Sequence, residues 1–430
     1  MQRQRSWQVR SQCRVKDRGM SAVADSVPSL PVLPAVRRDA GARPWHRLGV
    51  DSDIAALEAN WRALEASALV TPYQAYDWVR PFVETIGRAE GLAFRFVRVE
   101  DEHGELLALF PLVITRRLGT RFAEFIGGKH ANYHMALYRP GFAAALDAAA
   151  TQALLKEIGA ALGGIDALFL INQPTDWQGV ANPPAGLAAG QSPSRAYKLA
   201  LEPGDCEGTL RRSMSKHARK KLTTKRNRFA EFGPSELVRA DSDAEIERVL
   251  DAFLAQKATR FAQMGVPDPF AAPAIRAFLH QGATQQPGRP PVIELYSLDL
   301  AGRSVATYVG AVQGARFSGM ATSFDLLSET ARTSPGELLL VELIKRKCQA
   351  GLTMFDLGIG EARYKTTICD GSDDLVDTFF PLTAKGRAYA SYSQAKRALK
   401  RRIKASPIAL KAAQRVLGWL RRRKPAEADE

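Results

Sequence analysis

The segment from residue 324 to residue 365 constrains the fold more than any other part of this chain. It contains a strand end, a loop, a helix, a second strand and a polar turn, in that order. Ser334 stands at a helix N-cap position, with Pro335 at the first helical position and Glu337 at the spacing of a capping box. Gly351 is placed to end the helix. The pattern therefore predicts a strand–helix–strand unit with a strongly marked helix start.

The start of this helix also suggests a ligand. A helix that follows a strand through a Ser-Pro-Gly loop presents free backbone N–H groups at its positive end. That end suits a phosphate, such as the pyrophosphate of a coenzyme. The alternative is an ordinary strand–helix–strand unit that happens to be well capped.

Composition limits the class of protein. The chain has 430 residues, of which 46% are hydrophobic and 24% charged, enough for two domains with their own cores. Apolar runs stay shorter than a membrane span, and the basic N-terminal stretch lacks the apolar core of a secretory signal. The four cysteines are scattered without a CxxC pair, so we expect a cytoplasmic protein with neither a zinc site nor a disulfide framework.

Four regions follow along the chain. Residues 1–43 lack periodicity and are predicted to be disordered, with Met20 as an alternative start to Met1. Residues 44–195 and 196–387 each read as two helices followed by a strand hairpin, which predicts a structural repeat. Residues 388–430 form a basic amphipathic tail.

Three helices carry much of this prediction. Apolar residues at helical spacing predict a helix over residues 51–67. Ser242 and Glu245 form a capping box that opens a long helix ending at Met264. A stripe of apolar residues through a very basic stretch predicts one continuous helix over residues 210–229.

The net charge of +15 is concentrated in two places. Nine Lys and Arg lie between residues 211 and 228, and fourteen between residues 385 and 424, with no acidic residue in either stretch. The first stretch suits a wall that binds a nucleotide-sugar, a lipid phosphate or tRNA, and the alternative is a solvated helix face. The second suits an anionic membrane surface, and the alternatives are an RNA-binding tail or a solvated appendage.

Short motifs in a fixed order resemble a known family between residues 45 and 382. They are Trp61-x-x-Leu64, Pro72-Tyr73-Gln74, Trp78, Gly104, Phe110-Pro111-Leu112, Asn132-Tyr133, Ser334-Pro335-Gly336, Ala350-Gly351, Phe355-Asp356-Leu357-Gly358 and Tyr364-Lys365. The chain resembles GNAT-type acyltransferases, and more closely the cellulose-biosynthesis (CelD-type) acetyltransferase family and the related Fem-type aminoacyltransferases. This resemblance implies an α/β (α+β) fold of tandem GNAT-like domains, each a mixed sheet flanked by helices. The usual GNAT pyrophosphate signature is present only in a loose form, from Arg332 to Gly336.

The resemblance also implies roles for individual residues. An acyl-CoA donor would lie where two neighbouring parallel strands, residues 316–324 and 353–357, splay apart. The implied donor-binding residues are Arg332, Ser334, Pro335 and Gly336. The implied catalytic residues are Asp356 as proton acceptor, Tyr364 as proton donor to the leaving thiolate, and Lys365 as a stabilising charge. The implied acceptor-binding residues are Asn132 and Tyr133. Two further acceptor-binding candidates follow from position: Arg260, near the end of the long helix, and Asp325, at a strand end. No metal is expected.

Each of these roles has an alternative in which the residue is only structural. A strand-end aspartate such as Asp356 or Asp325 often bonds only to nearby backbone N–H groups. Tyr364 and Lys365 have the alternative of a plain surface turn.

Together these patterns indicate a cytoplasmic N-acyltransferase that uses acetyl-CoA or a longer acyl-CoA. The resemblance implies an amine acceptor that is an amino sugar or a surface-polysaccharide precursor. Two alternatives remain: a Fem-type aminoacyltransferase using aminoacyl-tRNA, and a non-catalytic GNAT-fold adaptor of a polysaccharide synthase complex. Apart from that tRNA, no nucleic-acid partner is expected, while the tail suggests peripheral contact with an anionic inner membrane surface.

Overall fold

The computed structural model of the chain describes residues 43–406, the side chains of residues 404 and 405 excepted. The predicted disorder of residues 1–42, the choice between Met1 and Met20, and the tail beyond residue 406 lie outside this part. Within it, no helix is both long and apolar enough to cross a bilayer.

Both strands and helices occur throughout the described part. The strands are β1 (Arg47–Asp51), β2 (Ala93–Glu100), β3 (Leu106–Arg117), β4 (Thr120–Phe125), β5 (Leu137–Tyr138), β6 (Ala167–Pro174), β7 (Asp176–Trp177), β8 (Val180–Ala181), β9 (Gly190–Gln191), β10 (Ala196–Ala200), β11 (Ser235–Arg239), β12 (Ile293–Leu300), β13 (Arg303–Gln313), β14 (Arg316–Phe324), β15 (Met354–Ile359), β16 (Gly371–Asp373) and β17 (Leu375–Pro381). The α-helices are α1 (Glu58–Glu65), α2 (Tyr76–Phe82), α3 (Pro140–Ala145), α4 (Ala148–Leu162), α5 (Cys206–Ser213), α6 (Lys216–Ala230), α7 (Asp243–Met264), α8 (Pro273–Ala283), α9 (Pro335–Gln349), α10 (Arg363–Ile368) and α11 (Ala384–Ala405).

Two large mixed sheets result, and their strand orders correspond. The first sheet runs β1-β2-β3-β4-β6-β17-β9, with β5 paired to β3, and the second runs β11-β12-β13-β14-β15-β10-β16. In each, four antiparallel strands lead to one parallel pair, β4 with β6 and β14 with β15. Two helices precede the second strand of each sheet. The connection from β4 to β6 includes α3 and α4, and the connection from β14 to β15 includes α9. The predicted tandem GNAT-like repeat of a mixed sheet flanked by helices is confirmed.

One strand of the second half completes the first sheet. β17 comes from the end of the second half but pairs antiparallel with β6 of the first sheet. β10 opens the second half and pairs antiparallel with β15 of the second sheet. The predicted boundary that gave all of residues 196–387 to one domain is therefore wrong for β17, because a sheet edge can be completed by a strand from anywhere in the chain.

The predicted tail also begins inside the fold. α11 packs along β4, β6 and β17 of the first sheet, where Tyr389 lies 4.5 Å from Phe122 between ring centroids. Arg397 of the same helix forms an ion pair with the buried Asp377. Residues 388–403 are thus part of the first sheet's helical cover rather than an appendage.

One hydrophobic core joins the halves. It includes Trp61 and Trp78 from the first half together with Phe253 and Phe278 from α7 and α8. Trp78 and Phe278 meet edge to face, with centroids 5.1 Å apart. A second cluster lies under α9 and includes Leu339 and Leu343. The second sheet therefore carries α7 and the first half on one face and α9 on the other.

Two helix predictions need correction. Residues 47–51 are a strand, because their backbone pairs with β2, and α1 starts only at Glu58. The basic helix predicted over residues 210–229 is two helices, α5 and α6, since the Ser215 side chain accepts from Ala218 N–H and starts a new helix. The capping box of Ser242 and Glu245 is confirmed at the start of α7.

The cysteine prediction also needs correction. Cys206 at the start of α5 and Cys348 near the end of α9 form a disulfide, with 5.7 Å between their Cα atoms. The two residues are 142 positions apart, so the spacing rules that recognise compact disulfide frameworks gave no signal for this pair. Cys369 is a free thiol.

Candidate active site

The centre of the site is the point where β14 and β15 stop pairing. Their parallel register covers only Arg316–Ser318 against Met354–Asp356. Just beyond, β14 carries a bulge at Met320, which is an extra residue relative to β13. A bulge re-aims the backbone and ends regular pairing. The two strands diverge here, and a cleft of about 510 Å³ opens between them.

The cleft draws its walls from both faces of the second sheet. α7 contributes one side, the first turn of α9 contributes the other, and a loop of the first half reaches in beside them. The lining residues include Asn132, Lys257, Arg260, Tyr308, Gly319, Met320, Ser334, Gly336, Glu337, Leu357, Tyr364 and Lys365. Six residues predicted for the site, from distant parts of the chain, line one cleft: Asn132, Arg260, Ser334, Gly336, Tyr364 and Lys365.

Ser334 is the N-cap residue of α9, but it does not form the predicted capping box with Glu337. Its backbone is left-handed, with φ 60° and ψ 59°, and its side chain makes no capping hydrogen bond. The predicted partner, Glu337, instead forms an ion pair with Lys225 of α6. The capping-box prediction is therefore wrong, whereas the helix start with Pro335 at its first position is confirmed. A non-glycine residue in this conformation, with its side chain at a cleft, marks a candidate functional position.

Gly336 lies at the second position of α9, where the backbone N–H has no intrahelical acceptor. A Cβ atom added here would lie 3.5 Å from Phe324 Cδ1, an ordinary contact. The backbone approach is thus open, and only a side chain larger than alanine would extend into the cleft. Pro335 is buried and has no N–H, and Arg332 stacks on Phe232 at 5.7 Å from the ring centroid, outside the cleft lining.

Tyr364 and Lys365 lie on a short helix, α10, where a turn was predicted. Lys365 Nζ donates to the carbonyl oxygens of Gly358 and Ile359, at 3.0 Å each. Burial lowers the pKa of Lys365, and the negative charge of Asp356 opposes that shift. Burial raises the pKa of Tyr364, so its hydroxyl remains protonated at neutral pH. Both side chains face the cleft rather than bulk solvent.

Asp356 has no exposed surface and lies beneath the cleft. One carboxylate oxygen accepts from Gly358 N–H at 2.7 Å, and the other accepts from Ser318 at 3.1 Å and pairs with Arg316 at 3.2 Å. This arrangement matches the alternative considered for a strand-end aspartate, with an ion pair added. It fixes the turn whose carbonyls hold Lys365.

Arg316 is a residue that sequence reasoning missed. Its guanidinium lies 4.4 Å from the ring centroid of Trp177 and 5.5 Å from that of Tyr133, and it donates to Tyr133 Oη at 3.4 Å. Tyr133 is buried in this network and does not line the cleft. A strand-initial arginine after a Gly-Ala turn looks like a surface residue, so nothing in the local pattern identified it.

Asn132 connects the first half to both diverging strands. Its amide nitrogen donates to Gly319 O of β14 at 2.8 Å and to Tyr73 Oη at 2.6 Å. Its amide oxygen accepts from Ile359 N–H of β15 at 3.4 Å. Gly358, with φ +73°, makes room for it, because a Cβ there would lie 2.6 Å from the Asn132 amide nitrogen. The side chain therefore closes the inner end of the cleft.

Of the two remaining predicted residues, one lines the cleft and the other does not. Arg260 lines the cleft from α7 and is exposed. Asp325 does not line it; its carboxylate accepts from the N–H groups of Leu327 and Ser328 and pairs with Arg303. Lys257, one turn before Arg260, was not identified from the sequence, because a lysine in a long helix looks solvated. Among residues 43–406, no group of three or more metal-binding side chains occurs.

Comparison with known proteins gives the site a family context. Residues 216–366, about a third of the chain, match the family described as Acetyltransferase (GNAT) domain. This range includes α6, α7, β14, α9, β15 and most of α10, and so nearly the whole cleft. No curated protein sequence matches the chain.

The fold is similar to that of a solved structure, FemX. The crystal structure of FemX aligns with a TM-score of 0.54 at 12% identity, covering 78% of this chain and 98% of FemX. L-PGS from Bacillus licheniformis aligns with a TM-score of 0.46 at 11% identity, covering 80% of this chain and 97% of L-PGS. A tandem GNAT protein from the clavulanic acid biosynthesis pathway aligns with a TM-score of 0.40 at 12% identity, covering 77% of this chain and 98% of that protein. The chain therefore shares the fold of FemX, and its residues 216–366 match the GNAT acetyltransferase domain family.

Proposed function

We propose that this protein is an N-acyltransferase that moves a short acyl group from acyl-CoA to an amine. One observation carries the proposal. The cleft between the diverging strands β14 and β15 continues to the free N-terminus of α9, where Ser334 and Gly336 lie. A thioester between the strands and a pyrophosphate at the helix end would occupy one continuous cleft.

The donor end suits a polyanion. The N-terminus of α9 offers the Gly336 N–H, which has no intrahelical acceptor, and the positive end of the helix dipole. α6, with its many lysines and arginines, packs against the start of α9. Glu337 is the one acidic side chain that lines this cleft in the described structure, and Lys225 neutralises it.

The inner end of the cleft suits a short acyl group. Asn132 spans the gap between the two strands, and Tyr308 is buried in the wall beside it. A Cβ on Gly319 would lie 2.2 Å from Tyr308 Oη, so the wall is already packed at this level. An acetyl group or a similarly small acyl group fits such an end better than a fatty chain does.

The chemistry follows from the residues around the cleft. The acceptor nitrogen attacks the thioester carbonyl; a C–N bond forms, the C–S bond breaks, and the amine proton leaves through water. Backbone N–H groups at the bulge near Met320 would stabilise the oxyanion. Tyr364 would return a proton to the leaving thiolate, and Lys365 would add positive charge nearby. Asp356 acts as a positioning residue through the turn that holds Lys365.

The acceptor class remains a proposal from the family resemblance: an amino sugar or a precursor of a surface polysaccharide, modified on the cytoplasmic side. The same holds for contact of the basic C-terminal residues with an anionic membrane.

A second candidate is aminoacyl transfer from aminoacyl-tRNA. The fold similarity to FemX and the basic surface of α6 favour it. The adaptor alternative has no comparable support, because an adaptor would have no need of a cleft that brings Ser334, Tyr364 and Lys365 together.

The experiment is a thiol-release assay with the full chain, acetyl-CoA and a panel of amines that includes amino sugars. The account predicts amine-dependent release of CoA, slower with longer acyl-CoAs. Transfer from aminoacyl-tRNA without any transfer from acyl-CoA would contradict the proposal and establish the second candidate.

A further inference from the structure

Lys257 lies in an unusual environment for a lysine. It is on α7, only 9% exposed, yet it is one of the residues that line the cleft. Its ammonium nitrogen lies 4.8 Å from the ring centroid of Phe270 and 5.4 Å from that of Phe253. The aliphatic part of the side chain is thus held in the core while the charge is directed at the cavity.

This ammonium group has no anionic partner in the described part of the chain. No carboxylate there lies within 4 Å of it, although Asp268 is near enough to exert a weak attraction. Asp268 itself caps the N–H of Phe270 at 2.9 Å. Burial, followed by the charge of Arg260, lowers the pKa of Lys257 to about 8. A buried cation that lacks a partner is costly, and an anion in the cavity would remove much of that cost.

Arg260 places a second cation at the same wall. It lies one helical turn after Lys257 and lines the same cleft. Tyr364 lines this cleft too, and the positive charge of Arg260 opposes the rise that burial causes in the pKa of Tyr364. The two cations therefore lie on the α7 wall and extend toward the proposed proton donor.

Lys257 and Arg260 lie on a different side of the second sheet from the N-terminus of α9, where the acyl donor is proposed to bind. α7 packs on the sheet face that also carries the first half, whereas α9 packs on the opposite face. A donor anchored at the N-terminus of α9 leaves the α7 wall for the second substrate. Nothing else on that wall carries a charge among the described lining residues.

We propose that Lys257 and Arg260 form an anion subsite that binds a carboxylate or phosphate group of the amine acceptor. The inference rests on the proposed function, because it takes the α9 end as the donor site. It narrows the acceptor to amines that carry an anionic group, such as amino acids or phosphorylated amino sugars. Arginine suits such groups through its bidentate geometry, and the buried lysine adds a fixed point charge.

The test is isothermal titration of the full chain, saturated with CoA, with matched amines that differ in their anionic group. Glucosamine is compared with glucosamine 6-phosphate, and ethanolamine with phosphoethanolamine and β-alanine. We expect the anionic members to bind at least about tenfold more tightly, and Lys257→Met and Arg260→Met each to remove that preference. The phosphate and carboxylate members identify which anion the subsite prefers.

Control variants make the outcome specific. Lys156→Met removes one charge from the exposed side of α4 and should keep the preference. Arg260 is exposed, so Arg260→Met folds even if the buried Lys257→Met does not. Absence of any preference in the wild type, or a preference retained in Arg260→Met, would overturn the inference.

The same titrations separate this inference from the proposed function. If Lys257→Met weakens CoA itself more than it weakens dephospho-CoA, the subsite holds a donor phosphate, and the acceptor assignment is wrong. If wild-type protein binds no CoA at all, the proposed function fails. If CoA binds normally and no anionic amine is preferred, only the subsite is refuted.

Discussion

At the scale of the residue, the site depends on side chains that hold backbone rather than substrate. Asn132 ties Gly319 of β14 to Ile359 of β15, and Asp356 holds the N–H of Gly358. Gly358 can do this because its φ of +73° is accessible to glycine and because it lacks a Cβ that would strike Asn132. The shape of the cleft is thus fixed by a few polar contacts at the point of divergence.

Tyr364 allows a direct kinetic test. Its hydroxyl lies at the cleft, and burial raises its pKa, so it is available as a proton donor at neutral pH. Tyr364→Phe should lower kcat for acetyl transfer by roughly 10²-fold with little change in KM, since proton transfer of this kind contributes at least that much. Steady-state kinetics over pH 6–9 measure it. An unchanged kcat would remove Tyr364 from the mechanism.

His134 should make stability depend on pH. It is fully buried, its Nδ1 lies 3.1 Å from Ile171 O, and burial lowers its pKa to about 4. An unfolded histidine titrates near 6.5, so between pH 6.5 and 4 the unfolded state binds more protons. The contribution of neutral His134 to the free energy of unfolding is therefore fully present above pH 6.5. It is lost as the pH falls toward 4, by on the order of 2–3 kcal/mol.

Urea unfolding at a series of pH values measures this loss. His134→Asn keeps an N–H donor without a titrating group, so its stability should fall less over the same window. Parallel curves for the two proteins would show that His134 is not responsible, whatever the other groups contribute.

At the scale of the element, α9 and α6 form the donor end together. The sequence placed the start of α9 at Pro335 correctly, because proline has a strong positional preference. The capping-box prediction for Glu337 was wrong, because its side chain forms an ion pair with Lys225 instead. Which of the two contacts forms depends on how α6 packs against α9, and the local sequence does not contain that information. It also missed the break between α5 and α6, where Ser215 looked like one more polar residue in a basic run.

The pair formed by Lys225 and Glu337 leads to a double-mutant prediction. Lys225→Met leaves an unpaired carboxylate at the proposed pyrophosphate position, so acetyl-CoA should bind about tenfold more weakly. Lys225→Met combined with Glu337→Gln removes both charges and should restore most of the affinity. Titration calorimetry of the four proteins measures the coupling. If all four proteins bind acetyl-CoA with equal affinity, α6 does not contribute to the donor site.

At the scale of the whole molecule, the halves are a repeat that does not divide at a single boundary. The repeat was predictable, because two helices followed by a hairpin occur twice in the sequence. The crossing of β17 to the first sheet was not, because the pairing of an added strand depends on which sheet edge is free in space. The disulfide between Cys206 and Cys348 was hidden for the same reason: α5 and α9 are neighbours only in the folded chain.

The crossing of β17 into the first sheet predicts that the first half does not fold alone. Residues 43–195 lack β17, which covers β6 and carries the partners of Gln173 and Asn172. We expect this fragment to be unfolded or aggregated, since it leaves a buried strand edge unpaired. Co-expression with residues 196–406 should restore a soluble complex. Circular dichroism and thermal unfolding test this, and cooperative unfolding of the fragment on its own would contradict it.

The central claim is that acyl-CoA binds at the N-terminus of α9, and titration calorimetry with acetyl-CoA tests it most directly. Wild-type protein should bind acetyl-CoA with micromolar affinity. Gly336→Ala should bind similarly, because the Cβ makes only an ordinary contact with Phe324. Gly336→Asp should lose binding, since its side chain enters the cleft with a negative charge. Equal binding by wild-type and Gly336→Asp protein, or no binding of any acyl-CoA by the wild type, would contradict the account.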